Sequence, residues 1–316
     1  MRTLRRCRLA LTLCLLAAAA AQRPAAQRYF TLHPVAPGVF AAIGVAGSGA
    51  GSNAGFVVGT RAVAVIDTFQ DANAARQLLA AIRRQTALPV RYVINTHYHI
   101  DHVTGNQVFA NAGAVILAQR NVPAWIHSEN LKFFAPVPTP AQRAWVQGLR
   151  APDVTYVHGI EIALGGRRLL VRALPGHTGG DSAVLVAGTG VVFTGDLFWC
   201  HSLPNLVDAS TGPLLDSLAK LLAWPKARRA TFVPGHGEVG HAADLAAFRG
   251  YVLALRTQVA AARARGLSGD VLAAALRPRF QAQYGGWGFF DHFIRLNLLQ
   301  TDAELAGRKR IPQPAR

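Results

Sequence analysis

Residues 96–102 read THYHIDH and directly follow an apolar run that is typical of a buried strand. Alternate residues of an extended segment point to the same side, so His97 and His99 can bind one ion. Asp101 and His102 then turn away and can serve a second ion. Four potential ligands in six residues offer little apolar surface for packing. The stretch therefore predicts a metal site rather than a solvated polar loop.

Three more short motifs, each at or near the end of an apolar strand-like run, carry one further potential ligand apiece. Each motif contains glycine, which lets the backbone approach a crowded site. A single histidine or aspartate in any of them would more often be a helix cap or a core residue. Their joint occurrence predicts that they complete the same metal site. The motifs are LPGHTGGD with His177, VVFTGD with Asp196 and FVPGHG with His236.

These motifs resemble the metallo-β-lactamase superfamily, and the resemblance covers about residues 29–305. It implies an α/β fold, an αββα sandwich of two mixed β-sheets flanked by helices, with two metal ions at one edge of the sheets. The H-x-H-x-D-H pattern of the family stands here at residues 97–102. By this resemblance His97, His99 and His177 would hold one metal ion, Asp101, His102 and His236 a second, and Asp196 would bridge both.

The resemblance also implies the chemistry of the site. Five imidazoles and two carboxylates suit two Zn²⁺ ions per chain, while iron and manganese remain open. Two dications that share a water lower its pKa from about 15.7 toward ~7, which supplies hydroxide for attack on a carbonyl. Asp101 is the candidate catalytic residue that orients this nucleophile and moves its proton. Asp181 is interpreted either as a partner of a ligand histidine or as a simple turn residue.

The residue at position 196 separates branches of the family. Zinc β-lactamases with a cysteine ligand carry it where this chain has Asp196, so the sequence favours the wider set of glyoxalase II-like thioesterases and lactonases. We expect hydrolysis of an ester, thioester, lactone or amide of a small molecule. β-Lactamase activity and a phosphodiesterase or nuclease of the same superfamily remain alternatives. An iron-dependent oxygenase or a non-catalytic metal-binding protein is a third class.

Composition excludes other classes of protein. The chain has 316 residues, of which 51% are apolar and 16% charged, against roughly 25% charged in average domains, so it is not a disordered chain. Three cysteines do not make a disulfide scaffold. The formal charge of +17 is weak support for nucleic-acid binding, and no nucleic-acid partner is expected. Oligomeric state is not readable from the sequence.

The pattern of apolar runs predicts one domain over residues 29–316, after a short linker at 22–28. Short strands separated by Gly- and Pro-containing turns fill the first part of this domain. A helix is predicted over 71–85 with Asp71 as its N-cap. Further helices are predicted over 214–222, 242–265 and 291–305, between additional strands.

Several other residues are candidates for the substrate pocket. Cys200 and His201 lie close after Asp196, although a lone cysteine is more often a small buried hydrophobe. The insert with Trp125, Phe133 and Phe134 is interpreted either as a packed helical hairpin or as a lid. The aromatic segment 285–293 (GGWGFFDHF) is interpreted as helix packing or as one wall of an apolar pocket. The remaining histidines are expected on the surface or in the core, namely His33, His127, His158, His241 and His292.

The N-terminal residues 1–21 have the pattern of a secretory signal peptide. Four arginines in residues 1–8 precede a short apolar run, and small residues follow up to Ala21. The run is too short for an ordinary membrane span, so no stable membrane insertion is expected after cleavage. The bulky Leu13 before Cys14 argues against lipoprotein processing. The sequence therefore predicts a secreted or periplasmic protein.

We expect the exported protein to begin near Gln22. Signal peptidase cleaves after a small-residue segment, and the AAAAAQ stretch ends there. N-terminal sequencing or intact mass of protein from the periplasmic fraction measures the new terminus. An intact Met1 on a protein that stays in the cytosol would contradict the signal peptide and strengthen the nuclease alternative.

Overall fold

The first half of the chain folds into a seven-stranded mixed sheet. Four short strands pair antiparallel as a meander, helix α1 (Ala72–Gln85) then crosses over, and the last three strands run parallel to the fourth. The strands lie in sheet order as β1 (Phe30–Ala36), β2 (Val39–Gly44), β3 (Ala54–Val58), β4 (Val63–Ile66), β5 (Val90–Ile94), β6 (Val115–Gln119) and β7 (Val154–Tyr156). This computed structural model describes residues 27–134, 136–224 and 227–312. The predicted signal peptide and most of the 22–28 linker lie outside the described residues.

The second sheet has five strands in the order β12-β11-β10-β9-β8. Its β11 and β12 pair parallel, and the other neighbours pair antiparallel. The strands are β8 (Gly159–Ala163), β9 (Arg168–Ala173), β10 (Ser182–Val186), β11 (Val191–Trp199) and β12 (Thr231–His236).

The two sheets pack face to face, and helices cover their outer faces. Ile66 and Ile94 of the first sheet share one buried cluster with Val184 and Phe193 of the second. Helix α1 packs on the outside of the first sheet, and the C-terminal helices form a second core against the outside of the other sheet. This is the αββα sandwich that the sequence predicts. The remaining helices are α2 (Ile100–Val103), α3 (Asn106–Asn111), α4 (Val122–Ser128), α5 (Pro140–Gln147), α6 (Thr211–Leu222), α7 (Ala242–Ala264), α8 (Gly269–Tyr284) and α9 (Phe290–Leu305), with short 3-10 helices at Asn130–Phe133 and Ala227–Arg229.

Most elements follow the sequence pattern, and the exceptions have local causes. Asp71 caps α1 as predicted, because its side chain accepts a hydrogen bond from the Asn73 amide at 2.6 Å. Helix α8 was not predicted, because it contains Pro278, a residue that normally ends a helical pattern. Helices α2, α3 and α5 were not predicted either, because they are too short to show a helical period. Strands β7 and β8 were also missed; they are short strands at sheet edges whose apolar residues are few.

None of the helices within the described part of the chain is long and apolar enough to cross a membrane.

A break in strand β11 brings the two sheets together at one edge. The β11–β12 register shifts at Gly195, which has a φ of +50°. A Cβ atom at this position would lie 2.4 Å from the Thr96 hydroxyl of the other sheet. Glycine is therefore required here both by the left-handed backbone and by the close approach. The irregularity re-aims Asp196 toward the end of β5, as β-bulges next to active sites do.

Candidate metal centre

Seven side chains from the four sequence motifs meet at this edge of the sandwich. The ligand atoms within each of two groups lie within 4.8 Å of one another. Except for the half-buried Asp101, they are nearly shielded from solvent. The structure thus brings together every ligand candidate named from the sequence. One group is His97, His99, His177 and Asp196, and the other is Asp101, His102 and His236.

Asp196 lies between the two groups and offers one oxygen to each. Its Oδ2 is 3.1 Å from Nε2 of His177 and 3.7 Å from Nε2 of His97. Its Oδ1 is 3.2 Å from Nε2 of His102 and 3.5 Å from Nε2 of His236. A carboxylate with one oxygen toward each set of imidazoles has the geometry needed to bridge two metal ions.

The local backbone explains how one short stretch serves both groups. His97 and His99 follow β5 in extended conformation, so their rings share a side, with ring centroids 4.6 Å apart. Helix α2 starts immediately after His99 and turns Asp101 and His102 toward the second group. On the opposite wall a Cβ at Gly235 would lie 1.9 Å from Asp196 Oδ1, so only glycine fits there.

The donor atoms at the centre fit metal ions. Among the buried atoms of the described residues that lack a hydrogen-bond partner, four face the centre, namely Nε2 of His97, His102 and His236 and Oδ1 of Asp196. Nδ1 of His99 also lies only 3.0 Å from Nε2 of His177. A buried polar atom without a partner costs about 1–3 kcal/mol, and an ion is one recognised explanation for such atoms. Imidazole nitrogens and carboxylate oxygens are the donors that zinc binds in catalytic sites.

Electrostatics keep Asp196 and His97 in the protonation states that metal binding needs. Burial alone would raise the pKa of the Asp196 carboxyl, but the imidazoles of His236 and His102 hold it well below its usual value. Burial, with His102 nearby, lowers the pKa of His97 well below that of a free imidazole. The Asp196 carboxylate is therefore ionised and the His97 ring is neutral, with its Nε2 lone pair available to a metal. For His102 and His236, burial would lower the pKa, but the nearby carboxylates of Asp101 and Asp196 raise it, well above the usual value for His102 and to about 9 for His236. These two rings therefore release a proton when they bind a metal.

Asp67, at the end of β4, orients one histidine of each group. Its Oδ2 lies 2.8 Å from Nδ1 of His102 and accepts a hydrogen bond from the Thr96 hydroxyl at 2.7 Å. Because this hydroxyl donates to Asp67, it accepts from Nδ1 of His97 at 3.1 Å. Both rings therefore carry their proton on Nδ1 and direct Nε2 to the centre. Asp67 has a φ of +55°, a left-handed backbone that is uncommon outside glycine and marks a constrained position.

Asp208 orients a third ligand from the other side. Its Oδ2 lies 2.9 Å from Nε2 of His99, which leaves Nδ1 of that ring facing the centre. The same carboxylate accepts hydrogen bonds from the Tyr98 hydroxyl and from the Lys132 ammonium. Burial would raise the pKa of Asp208, but His99 and Lys132 lower it below its usual range, so it stays a carboxylate.

A cavity of about 320 Å³ opens directly onto four of the ligands, namely His99, Asp101, Asp196 and His236. Phe133 lines it from the 3-10 helix of the insert, whereas Trp125 is buried against Tyr98 and Phe134 packs on Trp145. The insert is therefore a packed helical unit with one residue at the cavity. The aromatic segment 285–293 both packs in the core and forms a wall. The other principal lining residues are Trp199, Asn205, Phe289, His292 and Phe293.

Asp181 belongs to a turn, in agreement with the second of its two interpretations. It accepts hydrogen bonds from the backbone amide of Thr178, at 2.7 Å, and from the Thr178 hydroxyl. Nδ1 of His177 has no hydrogen-bond partner among the described residues, so Asp181 does not orient that ligand.

Cys200 and His201 do not belong to the lining of the cavity as the described residues define it. Burial raises the pKa of the Cys200 thiol to about 12, so the thiol stays protonated at neutral pH. His201 is exposed, and its Nε2 lies 3.3 Å from a carboxylate oxygen of Asp244. Cys200 is thus a small buried residue beside the site.

Sequence reasoning missed three functional positions. Asp67 ends the apolar run AVAVID, and that position at the end of a strand is a signal that it shares with Asp196. Asp208 follows no such pattern, because its partner His99 is 109 residues away in the chain. His292 is exposed at the surface, as expected, but it also borders the cavity, which was not predicted. The aromatic residues around it were the available signal.

Comparisons with known proteins agree with this fold and site. A family model described as the metallo-beta-lactamase superfamily matches residues 47–236. The hydroxyacylglutathione hydrolase of Rhodospirillum rubrum is 31% identical over 237 residues, which cover 75% of this chain and 78% of that protein. The hydroxyacylglutathione hydrolase of Mesorhizobium japonicum is 30% identical over 173 residues, 55% of this chain and 56% of that protein. The solved structure of a metallo-beta-lactamase from Pontibacter korlensis aligns with a TM-score of 0.58 at 20% identity and covers 71% of this chain and 99% of that one.

The sandwich fold, the cluster of histidines and aspartates, and these relatives together define a metal-dependent hydrolase. The chain belongs to the metallo-β-lactamase superfamily, since the family model matches more than half of it. The resemblance inferred from the sequence motifs is thereby confirmed.

We expect Asp67→Asn to lower metal affinity by about 10–100-fold, the usual cost of losing a group that orients ligands. An amide has one acceptor oxygen, whereas Asp67 accepts from the Thr96 amide, the Thr96 hydroxyl and His102. Titration with a chelating indicator measures the affinity. Asp71→Asn is the matched control, because asparagine caps a helix as well as aspartate does. Equal affinity in both variants would show that Asp67 does not orient the ligands.

Proposed function

We propose that the protein is a dinuclear zinc hydrolase that directs an activated water at the carbonyl carbon of a small ester, thioester, lactone or amide. The observation that carries the proposal is the placement of Asp196, with one carboxylate oxygen toward each set of imidazoles. When bound, two dications would lower the pKa of a shared water from about 15.7 toward ~7. The relatives named as hydroxyacylglutathione hydrolases support attack on a thioester-type carbonyl.

The ligand sets support two ions rather than one. The first would be held by His97, His99 and His177 with Oδ2 of Asp196, and the second by Asp101, His102 and His236 with Oδ1 of Asp196. Zinc is the proposed metal because the set is rich in neutral imidazole and contains only two carboxylates. The same set accepts iron or manganese, so metal analysis belongs with every activity measurement.

Asp101 is the proposed catalytic carboxylate. It lines the cavity and is the most exposed of the seven candidate ligands, and its Oδ2 lies 3.2 Å from Nε2 of His236. Burial would raise its pKa, but His102 and His236 hold it well below the usual value, so it is ionised at neutral pH. A carboxylate at this position can orient the attacking water and accept its proton. The Ser52 hydroxyl fixes this segment by donating to the Asp101 carbonyl at 2.5 Å.

The chemistry at position 196 favours esters, thioesters and lactones over β-lactams. A carboxylate is a hard ligand that bridges two ions and draws them toward one shared water. It also occupies the space and alters the charge where the nitrogen of an opened lactam would be stabilised as it leaves.

The N-terminal pattern supports a further part of the proposal, namely that the enzyme acts in the periplasm or outside the cell.

We expect His177→Ala to abolish ester hydrolysis and to leave less than one equivalent of metal in its site. The substitution removes a nitrogen that lies 3.1 Å from Asp196 Oδ2 at the centre of the first group. Mass spectrometry of bound metal and steady-state rates on the purified variant measure both effects. His158→Ala is the control, since that histidine is exposed and away from the cavity. Hydrolysis at the wild-type rate by the His177 variant would refute the ligand assignment.

A second experiment separates this function from β-lactamase activity. We expect zinc-loaded protein to turn over activated esters or lactones clearly and penicillins and carbapenems weakly, because of the bridging carboxylate at Asp196. A side-by-side measurement of kcat/KM decides the question. A value for a lactam above roughly 10⁵ M⁻¹s⁻¹, within the usual range of enzymes, would favour the lactamase alternative.

A further inference from the structure

Aromatic rings border the ligands of both groups on the side of the cavity. The Phe133 ring meets His99 edge-on with 5.0 Å between ring centroids. Trp199 stacks on His236 with centroids 3.8 Å apart. Phe289 and Phe293 extend this wall, at 6.0 and 5.9 Å from Trp199. Any group that projects from a carbonyl at the metal centre into the cavity therefore contacts aromatic carbon.

Phe289 is held in a costly conformation at the mouth of the cavity. It has a φ of +56°, which bulky residues rarely adopt, and 53% of its surface is exposed. Neither core packing nor turn geometry requires an exposed aromatic ring at this position. Strained residues of this kind concentrate at ligand-binding sites. The position of Phe289 is explained if its ring forms part of an apolar substrate surface.

A second compartment continues from the cavity past Phe289, which lines both spaces together with Gly51 and His236. It is a groove of about 570 Å³ built largely from small residues of the β2–β3 loop. Glu238 and His236 are its only ionisable lining side chains among the described residues.

Neither compartment is lined by lysine or arginine among the described residues. This is notable because the chain contains 33 of these residues against 16 acidic ones. Lys132 is the basic residue bound to the ligand network, and its ammonium pairs with Asp208 and Glu129. A substrate carboxylate that projects away from the metal centre would thus lose water without gaining a lysine or arginine partner, and in the groove it would meet Glu238.

We propose that the natural substrates are uncharged esters or lactones with an apolar group about the size of one ring, which packs against Phe133, Trp199, Phe289 and Phe293. This inference rests on the proposed carbonyl hydrolase function and narrows its substrate class. Acyl donors with carboxylates away from the scissile bond are poor substrates. Glutathione thioesters belong to this disfavoured class because glutathione carries two carboxylates, so the preference differs from the one in the names of the relatives.

Two matched pairs of substrates test the proposal on the zinc-loaded wild-type protein. The first is 4-nitrophenyl butyrate against 4-nitrophenyl hemisuccinate, which replaces the terminal methyl group with a carboxylate. The second is one hydroxyacyl group as its thioester with N-acetylcysteamine, which is neutral, or with glutathione. We expect kcat/KM to favour the neutral member of each pair by at least about tenfold, as an apolar pocket discriminates. Ratios near or below one would overturn the proposal.

A third ester, 4-nitrophenyl acetate, carries neither the longer apolar chain nor the carboxylate that distinguish the first pair, so its turnover reports on the hydrolase function itself. Turnover of acetate together with ratios near one would overturn the substrate class while the hydrolase function stands. No turnover of any of these esters or thioesters would overturn the proposed function and the inference with it.

Variants test whether the preference for neutral substrates arises from the aromatic wall of the cavity. We expect Phe289→Lys to lower the butyrate to hemisuccinate ratio by about threefold, since an exposed cation at the mouth can pair with the carboxylate. Val271→Lys is the matched control, because it adds the same charge at an exposed position of α8 that does not line either compartment. The wild-type ratios decide the proposal even if a variant fails to fold. An unchanged ratio in a folded, metal-loaded Phe289→Lys protein would contradict the role given to this wall.

Discussion

Five imidazoles and two carboxylates are buried together where the two sheets meet. Removing them from water costs free energy, and the rest of the structure depends on how this desolvation cost is offset. Ionised or polar groups are buried only when they are paired or bind metal. Asp196 provides most of the pairing, because its two oxygens face two separate sets of rings. The close contact of Gly195 with Thr96 and the lack of room at Gly235 follow from the need to hold this carboxylate between the sheets.

Two further carboxylates orient histidines of the stretch THYHIDH. Asp67 reaches His97 and His102 from inside the sandwich, through Thr96 for the first and directly for the second. Asp208 reaches His99 from the side of Tyr98, and Lys132 balances its charge. Each of these three rings is thereby held with one nitrogen toward its orienting group and the other toward the centre. Hydrogen bonds within the protein thus fix the orientation of three candidate ligands.

The candidate ligands could be predicted from the sequence because they stand in short motifs, and the sandwich fold because those motifs resemble the metallo-β-lactamase superfamily. The ligands stand within short motifs at the ends of apolar runs, and the alternation of an extended chain sorts His97 and His99 from their neighbours. Asp208 could not be predicted in this way, since its partners are brought to it by the tertiary fold. Helix α8 was missed because Pro278 interrupts the local helical pattern, while tertiary packing keeps the helix continuous.

The family match covers only part of the cavity, and this limits what similarity to relatives implies about the substrate. The family model matches residues 47–236, which include all seven candidate ligands. Phe289, His292 and Phe293 line the cavity from a segment beyond that match. The family model therefore covers the candidate metal ligands, while part of the aromatic wall of the cavity comes from the C-terminal segment beyond it. Residues that carry out a reaction and residues that select its substrate can differ independently among proteins of one fold. The substrate preference proposed for this chain rests on its own aromatic wall and on the absence of lysine and arginine from the described lining of the cavity.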